Sequence, residues 1–91
     1  MLSENVKKFL KDNGRIEQAT SARKVSTWAK KLGKNYLNGT AIGKHYNTLI
    51  LDLTYQGSQI YINIDGDITF SGEPVTSFKD FKRIFEEEIK N

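Results

Sequence analysis

There is no cysteine in this chain of 91 residues, a single proline, a single histidine and no long apolar run. Each scarcity removes a class of answer. Without cysteine, disulfide staples and thiolate metal sites are excluded, which fits a reducing, cytoplasmic setting. Nowhere do about 18 apolar residues follow one another, as a membrane-crossing helix requires, and the start MLSENVKKFLKDNG has no secretory pattern. No membrane contact is therefore expected. Hydrophobic residues at 37% and charged residues at 27% are ordinary for a globular chain. The length suits one domain over residues 1–91 with one modest core.

Catalytic and ligand-binding patterns are equally sparse. The serines stand in no G-x-S-x-G nucleophile elbow. Gly39-Thr40-Ala41-Ile42-Gly43-Lys44 falls one residue short of a phosphate-cradling loop, and His45 stands where that loop needs Ser or Thr for magnesium. Asp65 and Asp67 flank a glycine, but the further acids of a calcium loop are missing and turn chemistry accounts for both. No catalytic residue, metal or cofactor is expected, and the chain reads as non-enzymatic.

What is present is one stretch of clean alternation, Tyr46 to Phe70, YNTLILDLTYQGSQIYINIDGDITF. Period-two patterning predicts a three-stranded antiparallel meander with Leu49, Leu51, Leu53, Ile60, Ile62 and Ile64 on one face. A two-residue turn at Gln56-Gly57 predicts the pairs Leu53/Ile60, Leu51/Ile62 and Leu49/Ile64. For the next hairpin, parity demands an odd loop, Asp65-Gly66-Asp67, pairing Ile64 with Ile68 and Ile62 with Phe70. The opposite face holds Thr48, Ile50, Asp52, Thr54, Gln59, Tyr61, Asn63 and Thr69, with Ile50 and Tyr61 as its large apolar groups.

Three helices are predicted around it. The first runs from Ser3 as N-cap to Asn13-Gly14, with Val6, Phe9 and Leu10 inward. Residues 15–19 read as a loop with Ile16 tucked inward. The second helix starts at Thr20 or Ser21 and ends before Gly33, with Ala22, Val25, Trp28, Ala29 and Leu32 on its inner face. Asn38-Gly39 predicts a tight turn and a small extra hairpin over residues 35–42. Residues 71–74 predict a turn that Pro74 keeps from continuing as strand. Ser77 then caps a third helix whose Phe78, Phe81, Ile84, Phe85 and Ile89 lie across the sheet. The fold class is α+β, a two-layer ααβββα arrangement with helices packed on one face. Its parts are a basic helical segment (1–33), a Gly/Asn-rich connector (34–45) and a βββα core (46–91).

The final α-β-β-β-α order resembles the double-stranded RNA-binding domain, whose basic start of the last helix is echoed by Lys79, Lys82 and Arg83, with the second helix as an insertion. It also resembles the HicA-like toxin ribonucleases, whose Gly-Ser-His at a strand start is similar to Gly43-Lys44-His45. That likeness implies a ribonuclease using His45, although element order alone does not specify function.

Charge is unevenly spread: residues 1–44 hold ten Lys or Arg against three acids, and residues 45–91 hold four against eight. Attraction between the halves explains this, and so does a basic face for a polyanion. Two functional readings follow. The first is a small interaction module, an adaptor, regulator or inhibitor, that binds a protein partner through exposed apolar and aromatic groups, with Tyr36, Tyr46, Ile50 and Tyr61 as candidates. The alternative is a nucleic-acid-binding module using Arg23, Lys24, Lys30, Lys31, Lys34 and Lys44.

Overall fold

The alternating stretch does form the centre of a sheet, but in the computed structural model, which describes residues 2–34, 37–42, 47–53 and 59–89, that sheet has five strands rather than three. In chain order the elements are α1 (Glu4–Asp12), α2 (Ile16–Lys31), β1 (Asn38–Ile42), β2 (Thr48–Asp52), β3 (Gln59–Asn63), β4 (Ile68–Phe70), β5 (Glu73–Val75) and α3 (Phe78–Ile89). The strands lie side by side in sequence order, each antiparallel to the next. The class is α+β, as the pattern predicted. The two extra strands are the sheet's edges, and both arise where turns were expected.

At one edge, Asn38-Gly39 opens β1 instead of turning a hairpin, with Gly39 opposite Leu51. A Cβ at Gly39 would sit 2.5 Å from the Ile50 carbonyl oxygen and 3.0 Å from Val6 Cγ2. The glycine is there because the neighbouring strand's backbone, first, and α1 above it leave no room for a side chain. At the other edge the turn is only Ser71-Gly72, both in the left-handed region at φ 52° and 77° as a type I′ hairpin requires. Pro74 then sits within β5, opposite Thr69, where an edge strand tolerates its missing N–H.

Register differs from expectation by two residues in both central hairpins. Leu51 pairs with Ile60 and Leu49 with Ile62, while Ile62 faces Ile68 and Ile60 faces Phe70. A shift of two keeps every side chain on its predicted face, so the apolar face survives intact. In the β3–β4 hairpin the cause lies in Asn63. Its side-chain oxygen accepts from the N–H groups of Asp65 and Asp67, its own N–H donates to the Asp67 carbonyl, and Gly66 at φ 87° donates back to the Asn63 carbonyl. These bonds close a three-residue loop over Ile64, Asp65 and Gly66, one residue earlier than predicted, and leave Ile64 46% exposed. Local side-chain-to-backbone bonding thus outweighed the burial of one isoleucine. Residues 54–58, including the expected Gln56-Gly57 turn, lie outside the described residues.

One apolar cluster fills the space between the sheet and the helices. It joins Leu49, Leu51, Leu53, Ile60, Ile62, Ile68, Phe70 and Val75 to Val6 and Leu10 of α1, Ala22, Val25 and Ala29 of α2, and Phe81, Ile84 and Phe85 of α3. Phe81 stands at its centre, with ring centroids 5.4 Å from Phe70, 5.6 Å from Trp28 and 6.5 Å from Phe85. α3 begins as expected: Ser77 Oγ accepts from the Asp80 N–H at 3.3 Å, and the Asp80 carboxylate accepts from Thr76. The acids at its far end find partners within the same half of the chain. Lys82 lies 3.9 Å from Glu86, and Arg83 lies 3.5 Å from Glu87 and 3.4 Å from Glu73. The hydrogen bond that Arg83 donates to Glu73 is the main cause that raises the Arg83 pKa above its ordinary value.

α2 has Arg15 at its N-cap position, five or six residues before the expected Thr20 or Ser21, and this start has no side-chain cap to announce it. Anchoring comes from its inner face instead. Gln18, fully buried, donates through Nε2 to the carbonyls of Asn47 and Ile62, each at 3.1 Å, and Ser21 donates a short hydrogen bond to the Gly66 carbonyl. Ile16 consequently turns outward and is 73% exposed, not tucked in.

Two stability predictions follow from this packing. Gly39→Ala should lose about 2–3 kcal/mol in urea denaturation, because the obstructing Ile50 carbonyl belongs to a paired strand and cannot yield. Gln18→Glu replaces an amide donor with a buried carboxylate facing two carbonyls, and should lose about 3–5 kcal/mol at pH 7. Burial raises the folded pKa of that glutamate above its unfolded value of about 4.3. The variant should therefore regain stability as pH falls through the raised folded pKa toward the unfolded one, which denaturation curves across pH will show.

Candidate functional site

The joint between α1 and α2 is the region to build from, because the expected loop there does not exist. Ser3 holds the start of α1 in place: its Oγ accepts from the Val6 N–H at 3.3 Å and its N–H donates to the Leu37 carbonyl at 2.9 Å, beside a Leu2–Leu37 bridge. α1 ends in a Schellman motif. The Arg15 N–H reaches the Leu10 carbonyl, the Gly14 N–H reaches Lys11, and Gly14 takes φ 60°. Two residues after Asn13–Gly14 the chain is already inside α2. The Arg15 guanidinium lies 5.9 Å from the centroid of the Phe9 ring, bracing the corner.

A groove of about 560 Å³ runs along the outer side of this helical corner. Its apolar surface comes from Leu2, Leu10, Ile16 and Ala19, and Lys7, Lys11, Arg15 and Arg23 complete its walls. No carboxylate stands among the described residues that line it. The helical period explains the arrangement. Gln18, Ala22, Val25 and Ala29 face the sheet, so Ile16, Ala19 and Arg23, at i, i+3 and i+7, share the flank turned away from it. On α1 the pair Lys7 and Lys11 is one turn apart on the flank facing α2. Of the acids of α1, Glu4 is 3.6 Å from the wall residue Lys7 at a highly exposed position, and Asp12 is 2.9 Å from Lys8, which does not line the groove.

Among the described residues, the predicted nucleic-acid set is divided between two flanks of α2. Arg23 belongs to the α1–α2 groove, whereas its neighbour Lys24 lines a second groove of about 540 Å³, between α2 and the β3–β5 end of the sheet, together with Trp28, Asn63, Asp67 and Thr76. Seven residues on, Lys30 follows Arg23 and Lys31 follows Lys24, so the exposed lysines fall into two rows about 100° apart. Lys31 Nζ is 4.8 Å from the Phe78 ring centroid, which ties that row to α3. Lys34 is half-buried beyond the helix, and Lys44 lies outside the described residues.

Of the predicted protein-binding set, Ile50 and Tyr61 are cross-strand neighbours on the helix-free face of the sheet. Tyr61 is 42% exposed on the helix-free face of the sheet, its hydroxyl donating to Gln59 Oε1 while Gln59 Nε2 donates to Asp52. Ile50 on that same face is buried, at 5% exposure, and so is not available to a partner as its position in the pattern suggested. Tyr36, Tyr46 and His45 lie outside the described residues. Among the described residues no three His, Cys, Asp or Glu side chains come together as a metal site, and no helix is long and apolar enough to cross a membrane.

The groove residues that sequence reasoning missed are Lys7, Lys11, Arg15 and the exposed Ile16. Their signal was present in the 7, 11, 15 spacing, but reading residues 15–19 as a loop separated them from Arg23. Comparison with known proteins returns no match: no family model, no curated protein and no solved structure is significantly similar to this chain.

Proposed function

We propose that this protein is a non-enzymatic interaction module that binds a protein partner through the groove between α1 and α2. The observation that supports this reading is the pairing of an apolar floor with cationic walls and no lining carboxylate, beside an isoleucine that is 73% exposed. Large apolar side chains turned to water next to polar rims mark interaction sites more often than they mark phosphate tracks. A nucleic-acid surface calls instead for cations along one polar stripe, and the lysines of α2 are divided between two flanks.

The experiment is a comparison of wild type with Ile16→Asp, read first for stability and then for quantitative protein capture from the source cells. Because Ile16 is exposed, the variant should keep its stability within about 0.5 kcal/mol. Proteins recovered by wild type should be lost from the variant and retained by Lys24→Glu/Lys31→Glu, which alters the other flank. Equal recovery by wild type and Ile16→Asp would overturn the reading. Salt-sensitive binding to single- or double-stranded nucleic acid that Lys24→Glu/Lys31→Glu removes would replace it with the nucleic-acid alternative.

A further inference from the structure

Resting on the protein-binding reading, we infer that the occupant of the α1–α2 groove is an amphipathic α-helix of a different protein, with an apolar stripe flanked on both sides by Asp or Glu. Three observations lead to each part of that description.

The walls decide the helical form. Both are α-helices, whose backbone N–H and C=O groups are consumed internally away from their ends, and the Schellman motif at Gly14 uses the last carbonyls of α1. An extended peptide laid here would lose water from its own backbone against Leu2, Leu10, Ile16 and Ala19 with no partner to replace it. A helix brings its backbone already bonded. The small Ala19 between Ile16 and Arg23 leaves room for a third helix to approach within the usual spacing of about 8–10 Å. From Ile16 to Arg23 is seven residues, so the contact spans about two to three turns of the occupant.

Charge decides the flanks. Lys7 and Lys11 stand on one wall and Arg23 on the other, so carboxylates on both sides of the occupant's apolar stripe meet cations. A basic helix would meet the same cations as repulsion.

Burial excludes a folded second copy of this chain as the occupant. Val6 and Leu10 of α1, Ala22, Val25 and Ala29 of α2, and Phe81, Ile84 and Phe85 of α3 are already buried in one core, so these helical stripes are not available. Glu86 and Glu87 of α3 are engaged by Lys82 and Arg83.

The test is a display selection on the intact purified chain with three peptide pools, each of about five helical turns. One pool places Leu, Ile, Phe and Met at helical spacing with Asp and Glu flanking; the second has the same composition in period-two order; the third is helical with Lys for the acids. The first pool alone should enrich, and its winners should bind Lys11→Glu, Arg23→Glu and Ile16→Asp each about tenfold or more weakly in fluorescence anisotropy. Lys24→Glu, which lines the other groove, should leave binding unchanged. No enrichment from the acidic helical pool, or equal enrichment from either other pool, overturns the inference. So does groove-dependent binding of labelled oligo-dT with no peptide enriched, which would make the ligand a nucleic acid. Should the pools fail while capture by wild type and Ile16→Asp still differs, the helical description falls and the protein-binding reading stands; should both fail, both fall.

Discussion

Where α2 rests on the sheet determines what the rest of the molecule presents, and that position is set by a buried amide. Gln18 bridges the start of β2 and the end of β3 by donating to the Asn47 and Ile62 carbonyls, and Ser21 adds a bond to the β3–β4 loop one turn later. Polar groups in such a place cost stability unless satisfied, which is why they fix position more sharply than apolar contacts do. With α2 held there, Trp28 meets Phe81 on one flank, and Ile16 and Arg23 meet α1 on the other. The Cβ-free Gly66 makes the same seat possible from below, since an added Cβ would lie 2.9 Å from the Glu17 carbonyl and 3.0 Å from Ser21 Oγ.

The central strands and α3 were legible because several weak signals agreed: alternation on β2 and β3, a wide apolar stripe on α3 and an N-cap at Ser77. The edges were not. β1 and β5 carry too few apolar residues to show a period, and both begin or follow at residues, Asn38-Gly39 and Pro74, whose commonest use is to end strands. The two-residue error in register at the β3–β4 hairpin came from the hydrogen-bonding of a single asparagine, Asn63, which no hydrophobic pattern reports. For α2, an uncapped N-terminus at Arg15 hid the first turn, and with it the residues that make the groove.

The excess of positive charge in the N-terminal half was legible as a number but not as an arrangement. Among the described residues, acids of α3 and β5 are drawn into pairs with Lys82 and Arg83, inside their own half of the chain. On the other side, adjacent residues Arg23 and Lys24 open onto different grooves. A helix divides neighbouring charges by about 100°, and a cluster counted along the chain can be two surfaces in space.

All the described residues lining the α1–α2 groove fall between Leu2 and Arg23, one unbroken segment of chain, whereas the aromatic contact between Trp28 and Phe81 joins residues far apart in sequence. Contacts that are close along the chain form with little loop-closure entropy, and every strand here pairs with its sequence neighbour. The return of α3 to α2, through Trp28 and Phe81, closes a much longer loop. The helical corner is a local structure that this closure only locks against the sheet, so the groove's shape is encoded in a segment short enough to be moved as a unit to another scaffold that offers a comparable apolar seat.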